Sequence, residues 1–251
     1  MVMKLTLTEP RLLKDPINAI SELVNDVKLN IDKDKIELVA IDPSNVAMII
    51  FRLFSSAFVD YQVNSNVSIG VSLDSIKQVL KRAKPSDTVI IQLDDTKKKL
   101  KLQLRGETIR TFSISLLDLE NKEQNIPDLK FKMKIEMNSS LFDEAIQDMD
   151  IISDSISLIA ESNKLVIASE GNISEGSIEI AEDVGASISL NGNESFKARY
   201  SIEYLKKIVK GGKLSDKVVL QFDRDYPLRI DYLLKDKLQL STILAPRVEN
   251  Y

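Results

Sequence analysis

Apolar and polar residues alternate with period two in KLTLT (4–8), KIELVAI (35–41), KLKLQLR (99–105), FKMKIEM (131–137), SIEI (177–180) and LRIDYLL (228–234). That pattern predicts strands with one buried and one wet face, the habit of antiparallel sheet. Four segments switch to helical spacing, near 9–25, 73–83, 139–150 and 201–211. In the second, Ile76, Val79, Leu80 and Ala83 fall at i, i+3, i+4 and i+7, one apolar stripe. Leu205, Ile208 and Val209 repeat it in the fourth. Asn138-Ser139-Ser140 offers an N-cap to the third helix, with Asp143 and Glu144 expected in its first turn. Pro16 is expected early in the first helix, where a missing N–H costs little, and Gly211-Gly212 at the end of the fourth.

The pattern occurs twice. Residues 12–42 overlay 141–171 and residues 73–93 overlay 202–222, both with a shift of 129. In the second overlay Lys77/Lys206, Lys81/Lys210, Lys84/Lys213, Ser86/Ser215, Asp87/Asp216, Val89/Val218 and Gln92/Gln221 are identical. A repeat this long is a duplicated domain and not a solenoid unit. The polar, Pro127-broken stretch LLDLENKEQNIPDLK (116–130) sits at the boundary. The expected division is therefore 1–115, a connector 116–130, and 131–251, in an α+β chain with two helices laid on antiparallel sheet in each half.

Composition narrows the chemistry. The 251 residues include no cysteine and no histidine, which removes disulfides, thiolate zinc sites and the commonest general base. Gly211-Gly212-Lys213 fails as a phosphate loop, because Lys207 stands where glycine is required and Leu214 where Ser or Thr is. Of the acids that could be imagined as magnesium ligands, Asp148 and Asp150 are two apart, a spacing that does not put carboxylates on one helix face, and Asp94-Asp95 and Asp223 with Asp225 lie in turn-like contexts. No cofactor, metal site or enzyme activity is expected. The N-terminus has no targeting signature and no window approaches a membrane span, so a cytoplasmic protein without membrane partners is expected.

The net charge of −4 argues against binding nucleic acid over the whole surface but leaves room for a basic stripe. Lys77, Lys81 and Lys84, spaced four and three apart and flanked by Arg82, share one helix face. Lys206, Lys210 and Lys213, beside Lys207, stand at the equivalent positions. Lysines at helical pitch without interleaved base readers suit phosphate contact that is independent of sequence and sensitive to salt. The other two helices differ: the first sets Lys14 against Asp15, Glu22 and Asp26, and the third carries Asp143, Glu144, Asp148 and Asp150.

LVAIDPSNVAMIIFRL (38–53), SIGVSLDSIKQVLKRAK (68–84), NIPDLKF (125–131), PLRIDY (227–232) and LAPRVE (244–249) together resemble a sliding clamp of the proliferating cell nuclear antigen family, archaeal type. The resemblance runs through both halves. It implies the DNA clamp fold: two domains per chain, sheets outside and helices inside, three chains forming a pseudo-sixfold ring around duplex DNA. The DNA-facing residues are then Lys14, Lys77, Lys81, Arg82, Lys84, Lys206, Lys207, Lys210 and Lys213.

The resemblance also implies a groove for partner peptides. Matched residue by residue, it takes Ile41, Asn45, Val46 and Met48, Ile126 and Pro127 of the connector, Pro227, and Ile243, Leu244, Ala245, Pro246, Arg247 and Val248. Ring closure would use two edge strands, with Arg110, Phe112 and Ile114 on one and Ile178 and Ile180 on the other. Partners so implied are duplex DNA, other clamp subunits in a homotrimer or heterotrimer, a clamp loader, and polymerase, nuclease and ligase through short peptides. The location would be cytoplasmic, nucleoid-associated if archaeal. Glu144 and Gln147 depart from the family's basic inner helices, which leaves room for one subunit of a mixed ring. Competing readings are a checkpoint-type clamp subunit and, from another class, a carboxylate-metal nuclease.

Overall fold

A computed structural model describes residues 3–94, 96–120, 124–161, 163–190 and 195–248. Parts of the expected connector (121–123) and Glu249 of the terminal motif lie outside the described residues. The chain divides into two compact units, and the division is not a plain cut at the connector. Ser44–Met48 belongs with the second unit and Leu234–Leu240 with the first, the main boundary falling between Asn125 and Ile126.

The first unit holds β1 (Met3–Leu7), α1 (Arg11–Ile20), β2 (Asp26–Ile31), β3 (Lys35–Ile41), most of β4 (Ala47–Phe54), β5 (Asp60–Val63), β6 (Val67–Ser72), α2 (Leu73–Lys81), β7 (Thr88–Asp94), β8 (Lys99–Arg105) and β9 (Ile109–Ser115). One antiparallel sheet runs β5-β1-β7-β8-β9, and β2 pairs with both β3 and β6. The alternation expected from sequence sets the burial: Leu100, Leu102 and Leu104 of β8 point into the core while Lys99, Lys101 and Gln103 do not. Helix α2 forms where its residues cap it. The Ser72 hydroxyl accepts the Ser75 N–H, Asp74 lies in the first turn and Lys81 in the last, both favourable to the helix dipole.

The second unit repeats the plan with β10 (Met133–Asn138), α3 (Ser139–Asp150), β11 (Ser155–Glu161), β12 (Lys164–Glu170), β13 (Glu175–Ala181), a one-turn α4 (Glu182–Gly185), β14 (Ala186–Leu190), β15 (Phe196–Ser201), α5 (Ile202–Ile208), β16 (Lys217–Phe222), β17 (Leu228–Leu234) and part of β18 (Leu238–Leu244). Its sheets run β14-β10-β16-β17 and β13-β12-β11-β15.

The repeat is exact in some strands and slips in others. The inward residues Val89, Ile91 and Leu93 of β7 answer to Val218, Leu220 and Phe222, a shift of 129. Buried Leu100, Leu102 and Leu104 of β8 answer to buried Leu228, Ile230 and Tyr232, a shift of 128. Period-two side chains make such a one-residue slip visible, because it would otherwise turn the apolar face outward.

Three local expectations are corrected. Helix α1 starts at Arg11, so Pro16 lies inside it and deprives the helix of one internal N–H. Helix α3 starts at Ser139, which puts Asp143 and Glu144 beyond its first turn; the Ser139 hydroxyl instead donates to the Ser215 carbonyl at 2.7 Å. Helix α5 ends at Ile208 and continues as a 3-10 turn over Val209–Lys213 that contains both glycines. Gly211 is there for close approach, since a Cβ would meet the Tyr232 ring at 2.5 Å.

Candidate nucleic-acid and partner interfaces

In the first unit α1 packs on α2. Lys77 is half-buried there: its Nζ donates to the Ser21 hydroxyl at 2.9 Å and lies 3.7 Å from Glu22. Lys81, Arg82 and Lys84 stand exposed at the end of the helix, with Lys84 Nζ 3.4 Å from the exposed Glu107. Lys14 lines a separate concavity of about 370 Å³ with Arg11, Asp15 and Pro85.

In the second unit α3 packs on α5 and its 3-10 extension. Lys206, Lys210 and Lys213 line a shallow concavity of about 700 Å³ whose other wall is Asp143, Gln147 and Asp150 of α3. Lys206 Nζ meets Asp150 at 2.6 Å. Lys207 Nζ meets Glu203 at 2.8 Å, one turn back, and lies over the Tyr204 ring. The duplicated lysines thus differ in availability. Lys77 and Lys206, identical by repeat, each meet an acid, Glu22 in the turn after α1 and Asp150 at the end of α3; Lys84 meets Glu107 beyond its own helix, and Lys81, Lys84, Lys210 and Lys213 are exposed. The single-face triad expected on the fourth helix is altered by the change from α to 3-10 winding after Ile208.

The terminal segment after β18 is fixed by two backbone bonds within the second unit. Ala245 N–H donates to the Val46 carbonyl at 2.9 Å, and Arg247 N–H to the Arg199 carbonyl at 2.7 Å. Arg247 Nη1 pairs with Asp154 at 2.7 Å, and the Arg247 guanidinium holds the Asp154 carboxyl below the usual carboxylate range. Asn45, at φ 58°, turns the chain ahead of Val46, which with Met48 is half-buried.

The residues expected in the groove separate into surface and core. Ile126 is 39% exposed and Val248 70%, large apolar side chains left to solvent. Pro127, Ala245 and Arg247 are exposed, and Pro227 and Pro246 partly so. Leu244 at 0% and Ile243 at 8% are core residues, which corrects their assignment to a contact surface. Their segment is strand β18, whose alternation runs inward almost throughout. Ile41 ends β3 in the first unit and is half-buried.

The two expected closure strands are sheet edges. Among the described residues, strand β9 has β8 as its one strand partner and β13 has β12. Phe112 and Ile114 are half-buried on the core side of β9, and Ile178 and Ile180 lie on that of β13, Ile180 at 5% exposure. Arg110 turns back into its own unit: Nη1 donates to the Arg82 carbonyl at 2.9 Å and Nη2 to the Asp87 carboxylate. Asp87 is buried and closes the turn after α2 by accepting the Lys84 N–H at 2.7 Å. That bond, and the Arg110 guanidinium, hold its carboxyl below the usual range. Sequence reading missed this pair, although the identity Asp87/Asp216 marked the position. Among the described residues no helix is long and apolar enough to cross a membrane.

Known proteins share this architecture. The model of the proliferating cell nuclear antigen N-terminal domain matches residues 2–140 and that of the C-terminal domain residues 125–247. A DNA polymerase sliding clamp of Nanoarchaeum equitans is 36% identical over 98% of this chain and 99% of its own. DNA polymerase sliding clamp 1 of Thermococcus kodakarensis is 34% identical over 94% of each. A crystal structure of the antigen from Thermococcus kodakaraensis superposes with a TM-score of 0.91 at 27% identity, covering 98% of this chain and all of that one.

Proposed function

The chain belongs to the proliferating cell nuclear antigen family, and from that premise we propose that it is a DNA sliding clamp whose copies close a three-chain ring around duplex DNA by joining β9 of one to β13 of the next. The observation that carries this is internal. Strand β4 and strand β18 are antiparallel, with Phe54 N–H bonded to the Lys237 carbonyl, the Arg52 side chain to Gln239, and Ala245 N–H to the Val46 carbonyl. Their repeat counterparts are β13, shifted by 129, and β9, whose register against β8 shifts by 130. Carrying the same pairing over sets Phe112 opposite Ile178, Arg110 opposite Ile180 and Ile114 opposite Gly176. All six fall on core-side faces, so the two apolar faces run together. Edge strands with alternating apolar residues invite such addition.

The exposed lysines Lys81, Lys84, Lys210 and Lys213, with Lys14, Arg82 and Lys207, would touch phosphates. Lys77, Lys84, Lys206 and Lys207 would do so by leaving their acidic partners. Contacts of this kind attract without reading sequence and weaken as salt rises, which lets a closed ring slide while its topology prevents escape. Partner enzymes would dock short apolar peptides beside Val46, Met48, Ile126, Pro127, Pro227 and the Ala245–Val248 tail, raising their local concentration at DNA. A separate loader would open the ring. The native mass of the purified protein tests closure: three 28.2 kDa chains are expected, and a single-chain mass overturns self-closure.

A further inference from the structure

Beside the terminal tail, on the outer face of β11, β12 and β15, lies a concavity of about 460 Å³ whose lining shares Arg247 and Val248 with the proposed peptide groove and takes nothing from β9 or β13. Register places Ala168, Ser157 and Arg199 in one cross-strand row, with Lys197 on the same outer face of β15. The opposite face of these strands carries Ile156, Leu158 and Tyr200, all buried. Four cations line the depression: Lys197, Arg199, Arg224 and Arg247. Arg199 Nε donates to the Ser155 hydroxyl at 2.9 Å, and Arg224 Nη2 donates to the Ser195 carbonyl at 3.4 Å.

Three carboxylates oppose them, and their placement matters. Asp154 is occupied by Arg247, and Asp225 lies on the turn beside Arg224. Glu170 sits at the far rim, opposite Glu175 of β13 in an adjoining depression. Glu170 and Glu175 thus mark the β12–β13 end, while the β15–tail end sets four cations against Asp154 and Asp225. In a chain of net charge −4 this is a local reversal of sign. It shares no residue with the depression lined by Lys206, Lys210 and Lys213.

We infer that this concavity receives an acidic stretch flanking the apolar anchor of a partner peptide. The inference rests on the proposed tail groove, because the tail links the two: Ala245 is bonded to Val46 at the groove, and Arg247 to Arg199 at the concavity. A peptide laid along Ala245–Val248 and continuing past Arg247 runs into the cationic end. Arginine suits carboxylates there through its planar fork, and the partly exposed Ser157 hydroxyl adds a neutral donor. The consequence is a charge filter among partners, favouring acidic flanks and disfavouring basic ones.

Calorimetric titration with synthetic peptides tests this. Each carries the same short apolar anchor, preceded by an all-aspartate, all-serine or all-lysine flank. The aspartate flank is expected to bind about tenfold tighter than serine at low salt, with the advantage shrinking as salt rises. The lysine flank binds weakest. In the Lys197→Glu, Arg224→Glu double variant the order of aspartate and lysine flanks reverses, while the serine-flanked peptide binds as before; an unchanged thermal midpoint shows that the variant folds. Equal binding of all three flanks, or an aspartate advantage that survives the double variant, overturns the inference alone. No binding of the serine-flanked peptide contradicts the groove itself and the inference with it. Displacement of the aspartate-flanked peptide by short duplex DNA shows instead a phosphate site, and also overturns it.

Discussion

Strands β4 and β18 are largely buried, whereas their repeat counterparts β13 and β9 are sheet edges with outward residues exposed along their length. One duplicated template has thus had two fates. The copies that find each other within the chain are built from AMIIFRLF and LQLSTIL, nearly continuous apolar runs. Those left at sheet edges read EGSIEIA and IRTFSIS, alternating and studded with hydroxyls and charge. Strands covered on both faces need the first composition; strands that must survive with one face wet need the second. The difference teaches where a chain with this repeat has kept an edge for another copy. Arg110 fits the same logic. Its counterpart in β18, one slip along, is the buried Leu240, and the arginine's charge is satisfied locally by the Asp87 that α2's following turn holds in place.

The most severe way to break the comparison is to spoil an edge. Phe112→Asp sets a carboxylate where Ile178 of the next copy would pack, and the three-chain native mass is expected to collapse to one chain with secondary structure retained by circular dichroism. Next is the contrast between core and surface in the tail. Leu244→Ala empties a fully buried site and is expected to cost about 2–5 kcal/mol of stability in denaturant unfolding. Ile126→Ala with Val248→Ala, both at exposed sites, should leave stability unchanged and weaken anchor-peptide binding in calorimetry.

Charge reversal of one exposed repeat pair, Lys81→Glu with Lys210→Glu, should shorten processive synthesis. It should also lower the salt slope of DNA binding by about 0.9 for each phosphate that is no longer neutralised. Reversing Lys77 and Lys206 is expected to do less to DNA binding, since both already serve acids of their own unit. The smallest effect is at Asp87. Its carboxyl is lowered in the fold by the Lys84 N–H and Arg110, so the stability it adds is present above the unfolded carboxylate range, about pH 4. That stability disappears as pH falls through the lower folded value. Asp87→Asn should therefore lower Tm at neutral pH, with the gap closing in acid.

Much of this was legible in sequence. Period-two strands and the 129-residue repeat gave the sheets, and the lysine identities gave the helices that carry them. What was not legible depends on partners distant along the chain. Nothing local distinguishes Leu244, fully buried, from Val248, largely exposed, because the difference is made by the end of β18. The neutralisation of Lys77 and Lys206 depends on Glu22, in the turn after α1, and Asp150, at the end of α3, arriving beside them. The basic concavity joins Lys197, Arg199, Arg224 and Arg247 from three segments, none of which is a basic run. Pro16 and Gly211 sit away from their expected places because a propensity fixes a preference, while the helix start and the Tyr232 ring fix the position.

The register itself is the most direct test, and a chain without cysteine is suited to it. Thr111→Cys with Glu179→Cys puts two thiols directly opposite across the proposed β9–β13 seam, within the separation a disulfide accepts. Under mild oxidation, denaturing electrophoresis is expected to show a closed product of three chains that reducing agent returns to one. The pair Thr111→Cys with Ser177→Cys, two residues out of register, should link far less. Chains that remain single in both variants, or that link equally well in both, contradict closure through these edges.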